Sequence, residues 1–418
     1  MEDKKVMSRG FVVLGAILIQ LALGAIYAWS VFTPSLADAG WTRTETQVVF
    51  AVGLASFAVF MVFAGKKLKS WGPRNLAIIG GIVLGLGYFL AGLIGGTSFW
   101  ALVILIGLIG GAGIGFAYVV PIAVGMQWFP DKKGMITGLA VAGFGFGALL
   151  WVKLAGAWGH LIQNLGLGTT FWIYGLAFGA MVIIGGIWMI FPPQGWKPKG
   201  YVPPEVKDEQ KKAVGTIDFT SNEMLRTPQF YLIFLTFVFS AGAGLMSIGL
   251  MKLYPIEALQ EQGLGFAEAS AIAGTAMAVF FSLANGLGRI LWGIMSDKLG
   301  RKTSILLMTA TQGVLVILFN FMAGHEIWLY VGATLIGFNF GGNFALFPTI
   351  TADTFGAKNV GQNYPFIFLA YGVGGILGPI LGGALGDVGN FALAFTITGV
   401  AVLVGTVLTA MVKPAKKD

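Results

Sequence analysis

One residue carries a full charge where its surroundings are otherwise apolar: Arg289, in the stretch Asn285-Gly-Leu-Gly-Arg289. It lies about two helical turns before Asp297, within the cytoplasmic half of an apolar helix. At that depth an arginine costs roughly 2.5 to 3.5 kcal/mol and has to face a polar cavity. None of the 18 acidic residues falls inside the core of an apolar stretch; Asp38, Asp387 and the others sit at ends or in loops. The natural counter-ion is then an anion from outside the protein, and a guanidinium fork fits a carboxylate in bidentate fashion. Asn285, four residues earlier on the same helical face, can donate its amide to a carboxylate or a hydroxyl. The competing reading is that Arg289 snorkels to the cytoplasm or caps carbonyls of a neighbouring helix.

Other polar side chains in apolar stretches are candidate ligand contacts. Tyr118 lies at a depth similar to that of Arg289. Tyr330, Asn339 and Asn343 fall in a tenth stretch, Tyr27 in the first and Tyr371 in the eleventh. For each the alternative is packing or a hydrogen bond to an adjacent helix. Lys153, near an outer helix end, reads as an interfacial anchor before an anion funnel. There is no cysteine, and His160 and His325 are distant from each other, so no metal site, thiol nucleophile or bound cofactor is expected. The glycine runs at 107–115, 138–147 and 372–383 lack the Gly-Lys-Ser/Thr ending of a phosphate cradle and suit close helix packing instead.

The elements that position these residues follow from composition. Of 418 residues 56% are hydrophobic and 11% charged, so lipid is the expected solvent. Apolar runs long enough for one crossing fall near 10–35, 45–65, 74–96, 98–126, 134–158, 170–192, 229–254, 267–292, 303–323, 326–350, 363–386 and 390–412. The fold class is therefore an all-α membrane protein of twelve transmembrane helices, with the first stretch retained rather than cleaved. Placing both termini in the cytoplasm puts every one of the 26 basic residues inside except Arg43, Lys153, Lys252 and Arg289. The net charge of +8 thus marks topology, and no nucleic-acid partner is implied.

The longest polar segment separates two sets of six. Residues 1–192 and 228–418 form two bundles joined by a cytoplasmic linker, 193–227, whose Thr220-Ser-Asn-Glu223 has capping-box spacing ahead of a short surface helix. The halves repeat each other. Pro121, the loop Trp128–Gly134 and the run Gly138–Gly147 match Pro348, the loop Thr354–Gly361 and the run Phe368–Gly375, with each proline read as ending its span. Parallel repeats of this kind hold substrate at their interface near mid-membrane.

The loop Gly293-Ile-Met-Ser-Asp297-Lys-Leu-Gly300-Arg301-Lys302 resembles the signature loop of the major facilitator superfamily. Its first-half copy keeps Gly65, Gly72 and Arg74 but carries Lys69 where that family has aspartate, which leaves the charge lock on that side in question. Four further motifs, Tyr27-Ala-Trp29, Trp128–Gly134, Met224–Tyr231 and Gly361–Tyr364, are similar to those of the oxalate/formate antiporter and monocarboxylate transporter group. The resemblance spans the chain. It implies the major facilitator fold, small carboxylates as substrates and a functional arginine on span eight.

Two departures refine the expectation. The oxalate exchanger has a lysine in span eleven, whereas the matching motif here, Phe368-Leu-Ala-Tyr371-Gly, has no cation. One intramembrane positive charge favours a monocarboxylate such as lactate. Animal lactate transporters place an aspartate and a lysine where Asn285 and Val31 stand, so their proton relay does not carry over. Proton symport remains the expected coupling, because a monoanion with a proton moves no net charge. A monomer in the bacterial inner membrane, with substrate, protons and lipid as partners, completes the reading. Carboxylate exchange is the first alternative; a membrane sensor or channel and an enzyme follow.

Overall fold

A computed structural model describes residues 7–41, 43–156, 158–198, 218–251 and 253–415. The expectations for Lys4, Lys5, Lys252, most of the linker and the last two lysines lie outside the described residues. Among the described residues twelve long helical segments occur, each where an apolar run predicts one. They are α1 (Arg9–Leu23, tightening into a 3-10 segment Gly24–Val31), α2 (Arg43–Trp71), α3 (Pro73–Leu93), α4 (Phe99–Trp128), α5 (Lys133–Ala155) and α6 (Leu161–Ile187). Six more follow: α7 (Pro228–Leu250), α8 (Phe266–Leu299), α9 (Arg301–Met322), α10 (Glu326–Phe355), α11 (Val360–Asp387) and α12 (Phe391–Met411). Among the described residues eleven helices are long and apolar enough to cross a membrane. The twelfth, α10, has 30 residues but dilutes its apolar character with Asn339 and Asn343.

Several ends differ from the apolar runs. Helices α2, α8 and α10 continue past them, carrying Lys66 to Lys69, Lys298 and Asp353 on their last turns. Long cationic stems are compatible with a helix that has reached the headgroup layer. The prolines are a correction: α4 runs through Pro121 to Trp128 and α10 through Pro348 to Phe355. A membrane helix tolerates proline because neighbouring groups and local adjustment absorb the lost hydrogen bond, whereas ending there would expose several backbone groups. Helix α6 begins at Leu161, earlier than its apolar run, and bends at Gly166 (φ 78°).

The chain divides into two compact units, Met1–Glu205 with Val360–Pro365, and Val206–Asn359 with Phe366–Asp418. In the first unit an aromatic cluster locks α5 to α6: Trp151 lies edge-on to Tyr174 and Phe178, and Tyr174 donates its hydroxyl to the Trp151 carbonyl at 2.5 Å. In the second, α8 and α10 touch backbone to backbone. A Cβ on Gly288 would collide with the Phe338 carbonyl, and one on Gly341 with the Asn285 carbonyl. That approach sets where Asn285 and Arg289 stand relative to α10.

The end of the linker is also fixed. The capping box is present, with Thr220 N–H donating to Glu223 at 2.7 Å at the head of Ser221–Met224. Just before it, Phe219 N–H donates to the Phe355 carbonyl at 2.9 Å, and Asn359 Nδ2 donates to the Phe219 carbonyl at 2.7 Å.

Candidate functional site around Arg289

Helix α8 presents Asn285, Arg289 and Trp292 on one buried face, at the i, i+4, i+7 spacing of a single helical stripe. Arg289 is 0% exposed, so the snorkelling alternative does not hold. Its Nε donates to Asn285 Oδ1 at 3.2 Å, and its Cζ lies 4.0 Å from the centroid of the Phe344 ring on α10. Both groups are neutral. The amide oxygen and the negative ring face orient the guanidinium without supplying a counter-charge of their own. Asn285, having turned its oxygen to the arginine, keeps two N–H donors with which an anion can be met.

Phe344 belongs to an aromatic wall. It stands edge-on to Tyr371 (5.5 Å) and Phe340 (5.4 Å), and Tyr371 stacks on Phe368 at 5.0 Å. Tyr371 is thus one ring removed from the guanidinium. Nothing in the sequence distinguishes Phe344 from the other aromatic residues of an apolar run, so it escaped notice.

Asn339 and Asn343 are brought near, but their amides are occupied. Asn339 accepts from Trp292 Nε1 at 3.2 Å and donates to Thr311 Oγ1 on α9 at 3.1 Å. Asn343 accepts from Ser240 Oγ on α7 at 2.7 Å and donates to the Phe340 carbonyl at 3.1 Å. These bonds tie α10 to α8, α9 and α7, which is the interhelical work such amides do in a membrane. Tyr330 stands apart. It is about 21 Å from Phe344 along α10, donates to Glu326 at 3.0 Å and stacks on Phe280 at 4.4 Å.

In the first unit Tyr27 and Tyr118 come together around Phe144, with ring separations of 5.0 and 5.5 Å, and Phe57 flanks Tyr118 at 5.0 Å. Gln20, fully buried on α1, donates from Nε2 to the Tyr118 carbonyl at 3.2 Å. A glutamine in an otherwise apolar run is the sequence signal for this contact.

The signature loop is a built network. Gly300 takes φ 86°, open to glycine, and lets α9 start immediately after α8. Arg301 then bridges Asp297 Oδ1 at 2.6 Å and Asp353 Oδ2 at 3.0 Å, joining the ends of α8, α9 and α10. Lys302 donates to the carbonyls of Ala410 (2.7 Å) and Val412 (2.9 Å), capping the C-terminal end of α12. In the first half Gly72 repeats the backbone geometry at φ 78°. There Asp131, in the loop after α4, pairs with Arg9 of α1 at 3.2 Å, and Arg9 also lies 4.5 Å over the Phe129 ring. That pair joins α1 to the loop after α4 and does not involve Lys69.

Comparison with known proteins bears on the family and the fold. The sequence profile of the Major Facilitator Superfamily matches residues 12–282 and 253–418. The chain is 29% identical over 375 residues to the uncharacterized MFS-type transporter YhjX of Escherichia coli, covering 88% of this chain and 86% of that one. It is 28% identical to the oxalate:formate antiporter of Oxalobacter formigenes, over 97% of this chain and 91% of the other. To the apicoplast pyruvate carrier 1 of Toxoplasma gondii it is 26% identical, over 80% and 67%. Among solved structures, the FucP transporter in its outward conformation superposes with a TM-score of 0.69 at 15% identity, covering 98% of this chain and 99% of that one, which speaks to the fold.

Proposed function

Because the chain belongs to the Major Facilitator Superfamily, and so is a membrane-spanning transporter rather than an enzyme, we propose that it carries small monocarboxylates, lactate foremost, together with a proton. Transport proceeds by alternating access around a site containing Arg289. The observation that carries the reading is a fully buried guanidinium oriented by the Asn285 amide and the Phe344 ring, on a helix whose acidic residues, Glu268 and Asp297, lie only near its two ends. The substrate carboxylate takes the two-pronged edge of Arg289, with Asn285 donating alongside. Tyr371 and the aromatic wall bound the space for its carbon chain. Similarity to an oxalate:formate antiporter and a pyruvate carrier supports small carboxylates as the class.

The monoanion preference rests on charge. Span eleven has Phe368 and Tyr371 but no cation, so a dianion would bring one charge more than Arg289 answers. In this reading residues 1–192 and 228–418 are the two bundles, 193–227 is the cytoplasmic linker, and the protein acts as a monomer in the bacterial inner membrane with both termini in the cytoplasm. A second reading, carboxylate-for-carboxylate exchange, is favoured by likeness to the antiporter along 97% of the chain.

Reconstituted vesicles separate the two. With an empty interior and a pH step, symport gives net uptake of labelled lactate, while exchange gives none until substrate is loaded inside. Arg289→Ala is expected to abolish uptake in either case. Undiminished uptake by that variant overturns the site, and strong competition by oxalate overturns the monoanion preference.

A further inference from the structure

The turn between α2 and α3 differs from its counterpart between α8 and α9 in one respect that the transport reading does not use. Residues 65–74 contain Lys66, Lys67, Lys69 and Arg74 and no acid, whereas the second-half loop spends Asp297 on Arg301. One of these cations, Lys67, sits beside aromatic residues on the surface of the first unit. Lys67 Nζ lies 5.9 Å from the Phe63 ring and 5.7 Å from the Trp71 ring. Phe63 is 40% and Trp71 38% exposed, and Val59, one turn below Phe63 on the same face, is 61% exposed. Arg74 and Asn75 are exposed at the head of α3, whose cap Gly72 supplies no side-chain bond to the first-turn N–H groups.

An apolar stripe that runs along a membrane helix and ends in tryptophan and lysine crosses from acyl-chain depth to headgroup depth. Val59 and Lys67 are separated by about 12 Å along the axis, the span from upper acyl chain to phosphate. We propose that this turn holds the phosphate headgroup of an anionic phospholipid. Lys67 and Arg74 are its charge partners, Trp71 its interfacial neighbour, and Val59 and Phe63 lie beneath one acyl chain. Lys67 is preset for the role, since Phe63 and Trp71 restrict its ammonium to the headgroup side without consuming its charge. A general preference of cations for the cytoplasmic face explains where such residues occur, but not their pairing with exposed rings on one turn.

Native mass spectrometry of the purified full chain, titrated with phosphatidylglycerol or with phosphatidylcholine of the same acyl chains, tests this. The wild type is expected to prefer phosphatidylglycerol by about thirtyfold, as two cations at an anionic surface imply. The preference should fall close to parity in Lys67→Gln/Arg74→Gln and stay intact in Lys298→Gln/Lys358→Gln, which removes two exposed cations from the second half. Retention of the preference in the first variant, or equal loss in the second, overturns the proposal. So does full displacement of the lipid by millimolar inorganic phosphate, which would make the turn a free-anion site. Should the first variant fail to give a monodisperse protein, brominated phosphatidylglycerol decides. It must quench wild-type tryptophan fluorescence more than that of Trp71→Phe, and equal quenching sinks the idea.

Discussion

The guanidinium carbon of Arg289 lies 4.0 Å above the ring of Phe344, on a helix that the sequence separates from it by more than fifty residues. A desolvated contact of this kind is worth about 2 kcal/mol. Phe344→Leu is therefore expected to raise the KM for lactate uptake by about thirtyfold while the protein still inserts. Phe344→Trp should restore most of the affinity. Equal KM values for wild type and Phe344→Leu would show that the ring plays no part in presenting the arginine.

Arg289→Lys keeps the charge but loses the fork. A point cation makes one strong bond to a carboxylate where the guanidinium makes two, and a charged hydrogen bond contributes about 1.5 to 3 kcal/mol. Initial uptake at low substrate should drop by at least about tenfold. Full activity in the lysine variant would argue that charge alone, not bidentate geometry, recruits the anion.

Asn285→Asp places a carboxylate four residues from Arg289, where the amide oxygen now accepts at 3.2 Å. The new acid would occupy the guanidinium and repel substrate. Affinity for lactate should fall at mildly acidic and neutral pH alike. Recovery on mild acidification would show that the introduced acid titrates and carries the proton.

Gly288→Ala tests the contact between α8 and α10. Its new Cβ has no room against the Phe338 carbonyl, and overpacking of this sort costs about 1 to 3 kcal/mol. Thermal unfolding in detergent should move to lower temperature. Gly249→Ala, whose Cβ meets open space, is the matched control and should melt like the wild type.

The charge network at the end of α8 predicts a different defect. Asp353→Asn removes one acceptor of Arg301 far from Arg289. Equilibrium binding of lactate should be unchanged and turnover slower. A change in binding without a change in turnover would separate the network from conformational exchange.

The spans were legible because a crossing helix needs a long apolar run, and that need writes itself into composition. Their ends were less so. Lys66, Lys67 and Lys69 read as a loop, yet they continue α2, since a helix does not stop where its side chains turn polar. Pro121 and Pro348 read as stops, and the bundle carries both helices through them. At the site, a solitary arginine announces itself and Phe344 does not, because a phenylalanine in an apolar helix is commonplace. Asn339 and Asn343 were visible as polar residues, but only the coordinates reveal that Trp292, Thr311 and Ser240 already engage them.

The tie between Phe219 and the residues Phe355 and Asn359 fastens the chain ahead of α7 to the C-terminal end of α10. That is the helix which, about 16 Å further in, presents Phe344 to the arginine. The two hydrogen bonds therefore brace the chain entering α7 against the end of α10, so that the start of one helix and the finish of the other are held as a unit.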